Sequence, residues 1–454
     1  MSVAIKYSVI EATLISSRVD GNDIEVDLTS NIIEVTTFEH ISKPYIDCEL
    51  VFVDDFGLKD TLSVSGTEKF RITFGQPDSP QEDVYTKFFF VKSINDTVRI
   101  NESGEMLSVQ LVEDLLFIDS VKQLSRSYNG KIEDIIQTIC QVELGRNVVR
   151  SKFEGSAQGI RKILVPYLSP LETINWIKDR ATTRTGGPIY LFSTMYSNDL
   201  IMSDFDSLMQ ETPFNALFPL RFNSAVASIE DDDDELRPYF EVVTFRENSA
   251  DDLMRQIEDG NVGSYYANLD IGTGRTSGAH ISIRDIVDEF YVNNLLDPET
   301  AQTMFDPSLL IDGKLSDEYN SNNIFQITSS NTFNQFKSYH DESVLINQKN
   351  ELIESKLKIK NKIIRAILKK NLIDIGIDGR MIFDAAATVG DRIRVLFLST
   401  KDLPDSKTDI YDRLDKRKSG DFLIMAINHR FSDDSHTAVL RLAKLGEIPR
   451  NLPL

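Results

Sequence analysis

Two cysteines and five histidines are all the thiol and imidazole ligands that a chain of 454 residues offers. Cys48 and Cys140 lie far apart, which excludes a Cys-rich zinc site and gives no sign of a disulfide scaffold; both are expected as reduced core residues. His40, His280, His340, His429 and His436 form no His-Glu-x-x-His pattern. His429 and His436 flank an expected final hairpin and read as turn and surface residues. A Gly-x-Ser-x-Gly nucleophile elbow is missing. Gly272-Thr-Gly-Arg-Thr-Ser-Gly278 fits neither the dinucleotide nor the Walker spacing and is expected to be a flexible loop. The 71 acidic residues offer many carboxylate pairs, yet no local feature selects two of them for glycoside cleavage. No catalytic, cofactor-binding or metal-binding residue is therefore assigned, and no cofactor is expected.

Positive charge is also scarce. Lys and Arg number 49 against 71 acids, a net charge of −22. Phosphate binding needs the opposite balance, so a basic nucleic-acid binder is excluded. A surface past which a polyanion slides without sticking is compatible with this charge. No apolar run approaches 18 residues, and Met1-Ser-Val-Ala-Ile-Lys-Tyr7 lacks the pattern of a secretory signal. Synthesis and folding in a cytoplasm, without membrane insertion, are expected. What remains is ordinary globular composition, 41% hydrophobic and 26% charged. The length suggests about three domains, large enough to fold without staples.

Residues 1 to about 118 read as strands. Asn31–Phe38, Ile46–Val53, Phe70–Phe74, Phe88–Ile94 and Met106–Val112 are β-branched, aromatic or alternating runs separated by turn residues. Such spacing points to a small antiparallel barrel or sandwich. The period then changes. Ile132, Ile135, Ile136 and Ile139 share one helical face. Ser169-Pro-Leu-Glu172 is a helix start, with Ser as cap, Pro in the first turn and Glu at the third helical position. Pro188–Phe192 and Leu200–Met202 read as short strands. Glu230-Asp-Asp-Asp-Asp-Glu235 lacks a calcium-loop spacing and reads as a solvated, self-repelling loop. Residues 248 to about 340 are polar, with a helix at Ser249–Ile257 and long loops expected. Leu352, Ile353, Ile363, Ile364, Ile367 and Leu368 have helical spacing. Lys349, Lys356, Lys358, Lys360, Lys362, Lys369 and Lys370 decorate that stretch. A solvated face is the first reading of these lysines, and contact with an acidic surface the second. Strand patterns return from Leu372 to Leu445.

Two distant halves echo each other in the same order. Glu34-Val-Thr-Thr-Phe38 resembles Glu241-Val-Val-Thr-Phe245. Gly66 with Phe70-Arg-Ile-Thr-Phe74 resembles Gly390 with Ile393-Arg-Val-Leu-Phe397. Phe89–Asn95 resembles Phe422–Asn428, and Leu107–Leu111 resembles Ala438–Leu442. The fold class that follows is β-rich α+β: two duplicated antiparallel β-barrel domains, an intervening small α+β domain and a helical and loop insert. The expected boundaries are 1–118 for the first barrel, 119–215 for the α+β domain, 216–247 plus 372–447 for the second barrel, 248–371 for the insert and 448–454 for a C-terminal tail. Three such chains around a three-fold axis present six similar barrels.

These duplicated barrels, the helix-opening segment Pro166–Ile177 and the ending Gly420–His429 through Leu442 together resemble the central baseplate hub of contractile-tailed, T-even-like phages. The N-terminal part of the type VI secretion spike protein is similar. The resemblance covers about 1–245 and 372–447 and leaves the insert without a counterpart. It implies a homotrimer whose barrels form a pseudo-hexameric ring. That ring caps the hexameric tail tube protein on one side and holds the trimeric cell-puncturing spike on the other, among other baseplate proteins, with a central channel for DNA passage. It implies a virion structural protein with no enzymatic activity and no specific nucleic-acid binding. The alternative is a tail-associated cell-wall hydrolase with unidentified catalytic carboxylates. An effector carrier of the type VI kind is disfavoured, since no needle-like repeat ends the chain.

Overall fold

The computed structural model describes residues 7–17, 23–55, 57, 68–76, 84–99, 105–157, 161–179, 181–222, 240–249, 253–270, 274–286, 309–328, 348–398, 414–415, 418–432 and 435–446. The first stretch holds seven strands: β1 (Ser8–Ser17), β2 (Asp23–Asp27), β3 (Ile32–His40), β4 (Asp47–Asp54), β5 (Lys69–Gly75), β6 (Tyr85–Arg99) and β7 (Glu105–Glu113). Then come α1 (Asp114–Ser120), β8 (Ser127–Gly130), α2 (Ile132–Glu143), β9 (Val148–Arg150), β10 (Arg161–Leu164), α3 (Pro170–Lys178), β11 (Ile189–Thr194), β12 (Ser197–Asp204) and α4 (Phe205–Gln210). The last part runs β13 (Leu220–Phe222), β14 (Thr244–Ser249), α5 (Leu253–Glu258), β15 (Gly263–Asp270), β16 (Arg275–Ser282), β17 (Leu310–Ile311), β18 (Lys314–Leu315), β19 (Asn322–Thr328), α6 (Gln348–Lys370), β20 (Asn371–Asp378), α7 (Arg380–Asp384), β21 (Arg392–Phe397), β22 (Gly420–Ser432) and β23 (Ser435–Gly446).

The protein is β-rich, with one large and mostly antiparallel sheet and few helices. Alternation builds it: along β4, Cys48, Leu50 and Phe52 are buried while Asp47, Glu49 and Val51 are only half-buried. Thirteen strands join in the order β14-β20-β23-β22-β3-β4-β7-β6-β5-β1-β2, with β21 on β22 and β13 on β21 off this path. The sequence suggests two separate barrel sheets, whereas the ladder runs unbroken from one part to the other. The long β22 pairs with β21 through its first half and with β3 through its second.

The ladders on either side of that join keep one register. Val91 faces Leu111, a bulge follows, and Ser93 faces Gln110. Ile424 faces Leu442, a bulge follows, and Ala426 faces Arg441. Phe70 faces Phe89 as Ile393 faces Phe422. One pair of segments aligned in the sequence is displaced. Val35 faces Leu50, which faces Val109; Phe245 faces Ile375, which faces Leu440. Phe245 thus occupies the place of Val35 rather than of Phe38. The offset is odd, so it inverts the face: Phe38 is exposed, whereas Phe245 packs on Phe397 with ring centroids 4.8 Å apart. Glu241 makes only an isolated bridge to Arg221, and strand β14 begins at Thr244.

Apolar side chains collect in three main clusters. One is built chiefly from β1–β7 and includes Leu14, Leu50, Phe70 and Val109. A second joins α2, α3 and their strands through Ile136, Ile139, Ile174 and Leu191. The third combines β20–β23 with part of the insert. The start of α3 forms as its sequence dictates: Ser169 Oγ accepts from Glu172 N and the Glu172 carboxylate accepts from Ser169 N, closing a capping box.

The described residues between β14 and β20 form regular structure where long loops are expected, and Ser249, expected to open a helix, instead ends β14, with α5 starting at Leu253. The segment contains a three-stranded sheet, β16-β15-β19, and the helix α6, which lies against β15, β16 and β20. Of the glycine-rich stretch, Arg275 to Gly278 are part of β16 and pair with β15, Gly278 opposite Ala267. That part is strand rather than flexible loop, and Gly272 and Thr273 lie outside the described residues. The acidic run 230–235 also lies outside them. Ile359, Ile363, Ile364, Ile367 and Leu368 of α6 are buried, each worth about 1.5–3 kcal/mol of apolar transfer.

The side chains of Lys349, Lys356 and Lys370 lie outside the described ones; among those described, the solvated reading fails at Lys360. Lys360 is 5% exposed and packs over Gly186, where a Cβ would fall 2.8 Å from the Lys360 Cβ. Asn361, beside it, donates to Ala181 O at 3.2 Å, and Arg365 pairs with Asp179 at 2.7 Å. The wide apolar stripe turns this part of the helix inward and takes two polar neighbours with it. Lys360→Glu should therefore lower unfolding stability by about 3–5 kcal/mol, because it reverses a buried charge. Lys369→Glu, on the exposed side, should stay within about 0.5 kcal/mol. Urea unfolding of both variants checks this.

Candidate functional site

The join between β3 and β22 concentrates the buried polar groups. Antiparallel pairing sets His429 opposite Thr37 and Ile427 opposite Glu39. Strand parity turns Thr37, Glu39 and His429 toward the interior, where each is at most 1% exposed. On the outer face, Arg430 pairs with Glu34 at 2.6 Å.

Glu39 is held from two other elements. Thr388 Oγ1 donates to Glu39 Oε2 at 3.1 Å, and Met195 N donates to Glu39 Oε1 at 3.3 Å. His429 Nε2 lies 3.7 Å from Glu39 Oε1, beyond hydrogen-bond reach. Burial, only partly offset by the Thr388 bond and by Lys87, pushes the Glu39 carboxyl up to about 7. His429 Nδ1 and His436 Nε2 are 3.2 Å apart. Burial, followed by the neighbouring His436, holds His429 well below its usual range; burial, followed by Arg380, holds His436 at about 3. His436 stacks on Phe431 at 4.2 Å and stands edge-on to Phe383 at 4.9 Å. Gly379 is required here, since a Cβ would run into the His436 ring.

The tight turn between β11 and β12 reaches into the same region. Tyr196 Oη donates to Ala387 O at 3.1 Å and to Ile382 O at 3.2 Å. Lys87 Nζ donates to Ser197 O at 2.7 Å and to Glu113 Oε1 at 3.1 Å, and Glu113 Oε2 accepts from Ile46 N at 2.9 Å. Met195, Tyr196 and Ser197 of one turn thus bond to β3, the α7 segment and β6. Deleting either charge of the Lys87–Glu113 pair would strand the other in the interior. Nearby, β5, β6 and α1 border a surface hollow of about 230 Å³ lined by Lys69, Phe88, Phe90, Asp114 and Arg146. Among the described residues, no group of three or more His, Cys, Asp or Glu side chains is placed to hold a metal ion.

The candidates read from the sequence fall into separate places. His429 and His436 are buried and adjacent, not surface residues, because the aromatic rings of Phe383, Phe431 and Tyr7 close over the hairpin. Cys48 lies in β4 and Cys140 in α2, both buried as expected; burial pushes the Cys140 thiol up to about 12. His40 Nδ1 accepts from Ser42 N, His280 contacts Asn320, and His340 lies outside the described residues. Glu39, Lys87 and Glu113 escape a reading by motif. Their signal is parity: Lys87 alternates with Phe89 and Val91, and Glu39 with Val35 and Thr37.

The raised Glu39 carboxyl has a direction in pH. The unfolded chain ionises near 4.5 and the folded chain near 7, so its contribution to stability is present below 4.5 and lost as pH rises through 7. The histidines oppose this, since their stabilisation is lost as pH falls below 6.5. Glu39→Gln should remove the first component. Relative to the wild type, the variant should gain about 1–3 kcal/mol between pH 5 and pH 8. Chemical unfolding at both pH values measures it.

No protein-family model and no curated protein matches the chain. Solved structures do. The tail protein from Neisseria meningitidis MC58 aligns over 97% of this chain and 96% of its own, with a TM-score of 0.52 and 13% identity. The prophage MuSo2 43 kDa tail protein from Shewanella oneidensis aligns over 96% of this chain and 98% of its own, with a TM-score of 0.51 and 11% identity. Along nearly its whole length, the chain has the fold of these two tail proteins.

Proposed function

We propose that this protein is a structural baseplate hub. Two duplicated antiparallel barrels, 1–118 and 216–247 plus 372–447, flank the α+β domain 119–215, with 248–371 inserted in the second barrel. Three copies form a pseudo-hexameric ring. One side of the ring meets the hexameric tail tube, and the other carries the trimeric cell-puncturing spike. DNA passes through the central channel, whose wall gains from the net charge of −22 because phosphate is not retained. The protein acts in the virion tail baseplate after synthesis in the host cytoplasm, and it is not an enzyme.

The observation that carries this reading is the common register of β5-β6-β7 and β21-β22-β23, down to the bulge that each central strand makes against its partner. A register shift would turn a strand's buried set outward, so two ladders that agree from Phe89 to Ile94 and from Phe422 to Ile427 support a duplicated unit. The fold shared with the Neisseria and Shewanella tail proteins supports the tail assignment. The buried cluster around Glu39 suits a part that must fix two units at a constant angle. Light scattering should give three times 51.5 kDa for the protein alone, or that mass plus the partner's once spike or tube protein is added. The same sample should release no peptidoglycan fragments. Sustained turnover would favour the hydrolase instead.

A further inference from the structure

The join between β3 and β22 has a bearing on the opposite ends of the two ladders. In the matched registers, β22 corresponds to β6 and β3 to β14. The β22–β3 pairing therefore has a counterpart between β6 and β14, and that counterpart is not made within the chain. β6 pairs with β5 through Tyr85–Phe90, and Val91 N still donates to Glu68 O at 3.3 Å; from Lys92 onward the same side carries no ladder among the described residues. β14 ends the sheet path, with β20 on one side and no strand on the other among the described residues. Val98 near the end of β6 is 50% exposed, and Arg246 and Glu247 of β14 are exposed. Two edges at opposite ends, each matching one half of a seam already present, suit a head-to-tail contact that closes.

We infer that the outer half of β6 in one copy pairs antiparallel with β14 of the next copy, repeating between copies the seam that β22 and β3 make within each. The occupant of each edge is thus a second copy of this chain. This rests on the trimeric ring proposed above and names the residues that close it.

The register is fixed by the ladders themselves. Arg430 faces Thr36 in the internal seam. Arg430 also faces Thr437, the position that Met106 holds opposite Val98. Thr36 faces Glu49, the position that Asp374 holds opposite Arg246. Val98 of one copy therefore faces Arg246 of the next. β6 has one bulge more than β22, between Ile94 and Asp96, and it displaces the register by one residue from a simple alignment. By the same transfer, Arg99 faces Phe245 and Thr97 faces Glu247 of the neighbouring copy.

Directly opposed residues in an antiparallel pair lie within disulfide range. The native Cys48 and Cys140 are buried, so paired surface cysteines report on the contact. The full chain carrying Val98→Cys and Arg246→Cys together is oxidised with copper-phenanthroline and run on a denaturing gel without reductant. The expected result is a shift from 51.5 kDa to a covalent trimer. Each single variant should stay at the monomer position, because the contact joins unlike edges. A double variant that scatters light as a trimer yet does not cross-link overturns the pairing and leaves the ring intact. A chain that scatters light as a monomer under every condition, spike and tube proteins included, overturns both. Cross-linking in a single variant shows like edges meeting and also overturns the pairing.

Discussion

Everything in this molecule hangs on one long strand with two neighbours on the same side. β22 gives its first half to β21 and its second half to β3. Through that division, the strands of the N-terminal part and those of the C-terminal part become a single sheet. A backbone ladder is a demanding connection. Its hydrogen bonds fix translation to one residue, and its side-chain parity fixes which face is buried. Two bodies joined this way cannot slide or rotate independently, as bodies joined by a surface of side chains can.

The polar groups buried at the join make the connection more selective. Glu39, His429 and His436 would each prefer water, and their burial is offset only where neighbours supply partners. Glu39 finds its partners outside the ladder, in Thr388 and Met195, while the two histidines meet each other and keep one buried nitrogen apiece, His429 Nε2 and His436 Nδ1, with no hydrogen-bond partner among the described residues. An apolar join would tolerate small misalignments. This one loses specific hydrogen bonds if the β11–β12 turn moves by more than a fraction of an ångström. The α+β part thereby acts as a keystone for the other two.

Much of the architecture is legible in the chain. Period-2 alternation locates β4, β5 and β7, and Ser169-Pro-Leu-Glu172 locates α3. The repeat is legible where bulky residues alternate, as in Phe70–Phe74 against Ile393–Phe397, and it misleads at Glu241–Phe245. There, β-branched composition imitates register without fixing it. The join itself is invisible, because nothing local in Glu34–His40 or Ala426–Ser432 says that these strands meet. The two histidines look like turn residues for the same reason: what buries them is Phe383, far upstream in the sequence. The insert reads as loops because its strands are polar. Tyr266 is the largest buried side chain among their described residues, and one buried aromatic in Asn- and Ser-rich sequence is a faint signal.

The pairing of β3 with β22 also sets a timetable. Glu34 leaves the ribosome early, whereas its partner Ser432 is made late. Throughout elongation β3 has β4 on one flank and an open flank on the other. Nascent chains on a shared message would carry the same bare edge at the same time, which is the condition for strand exchange between neighbours. Glu34 and Glu39 on that edge discourage like pairing, since two copies would bring carboxylates together. An acid that is costly to bury in the finished protein is thus useful earlier, while the strand waits for the far end of its own chain.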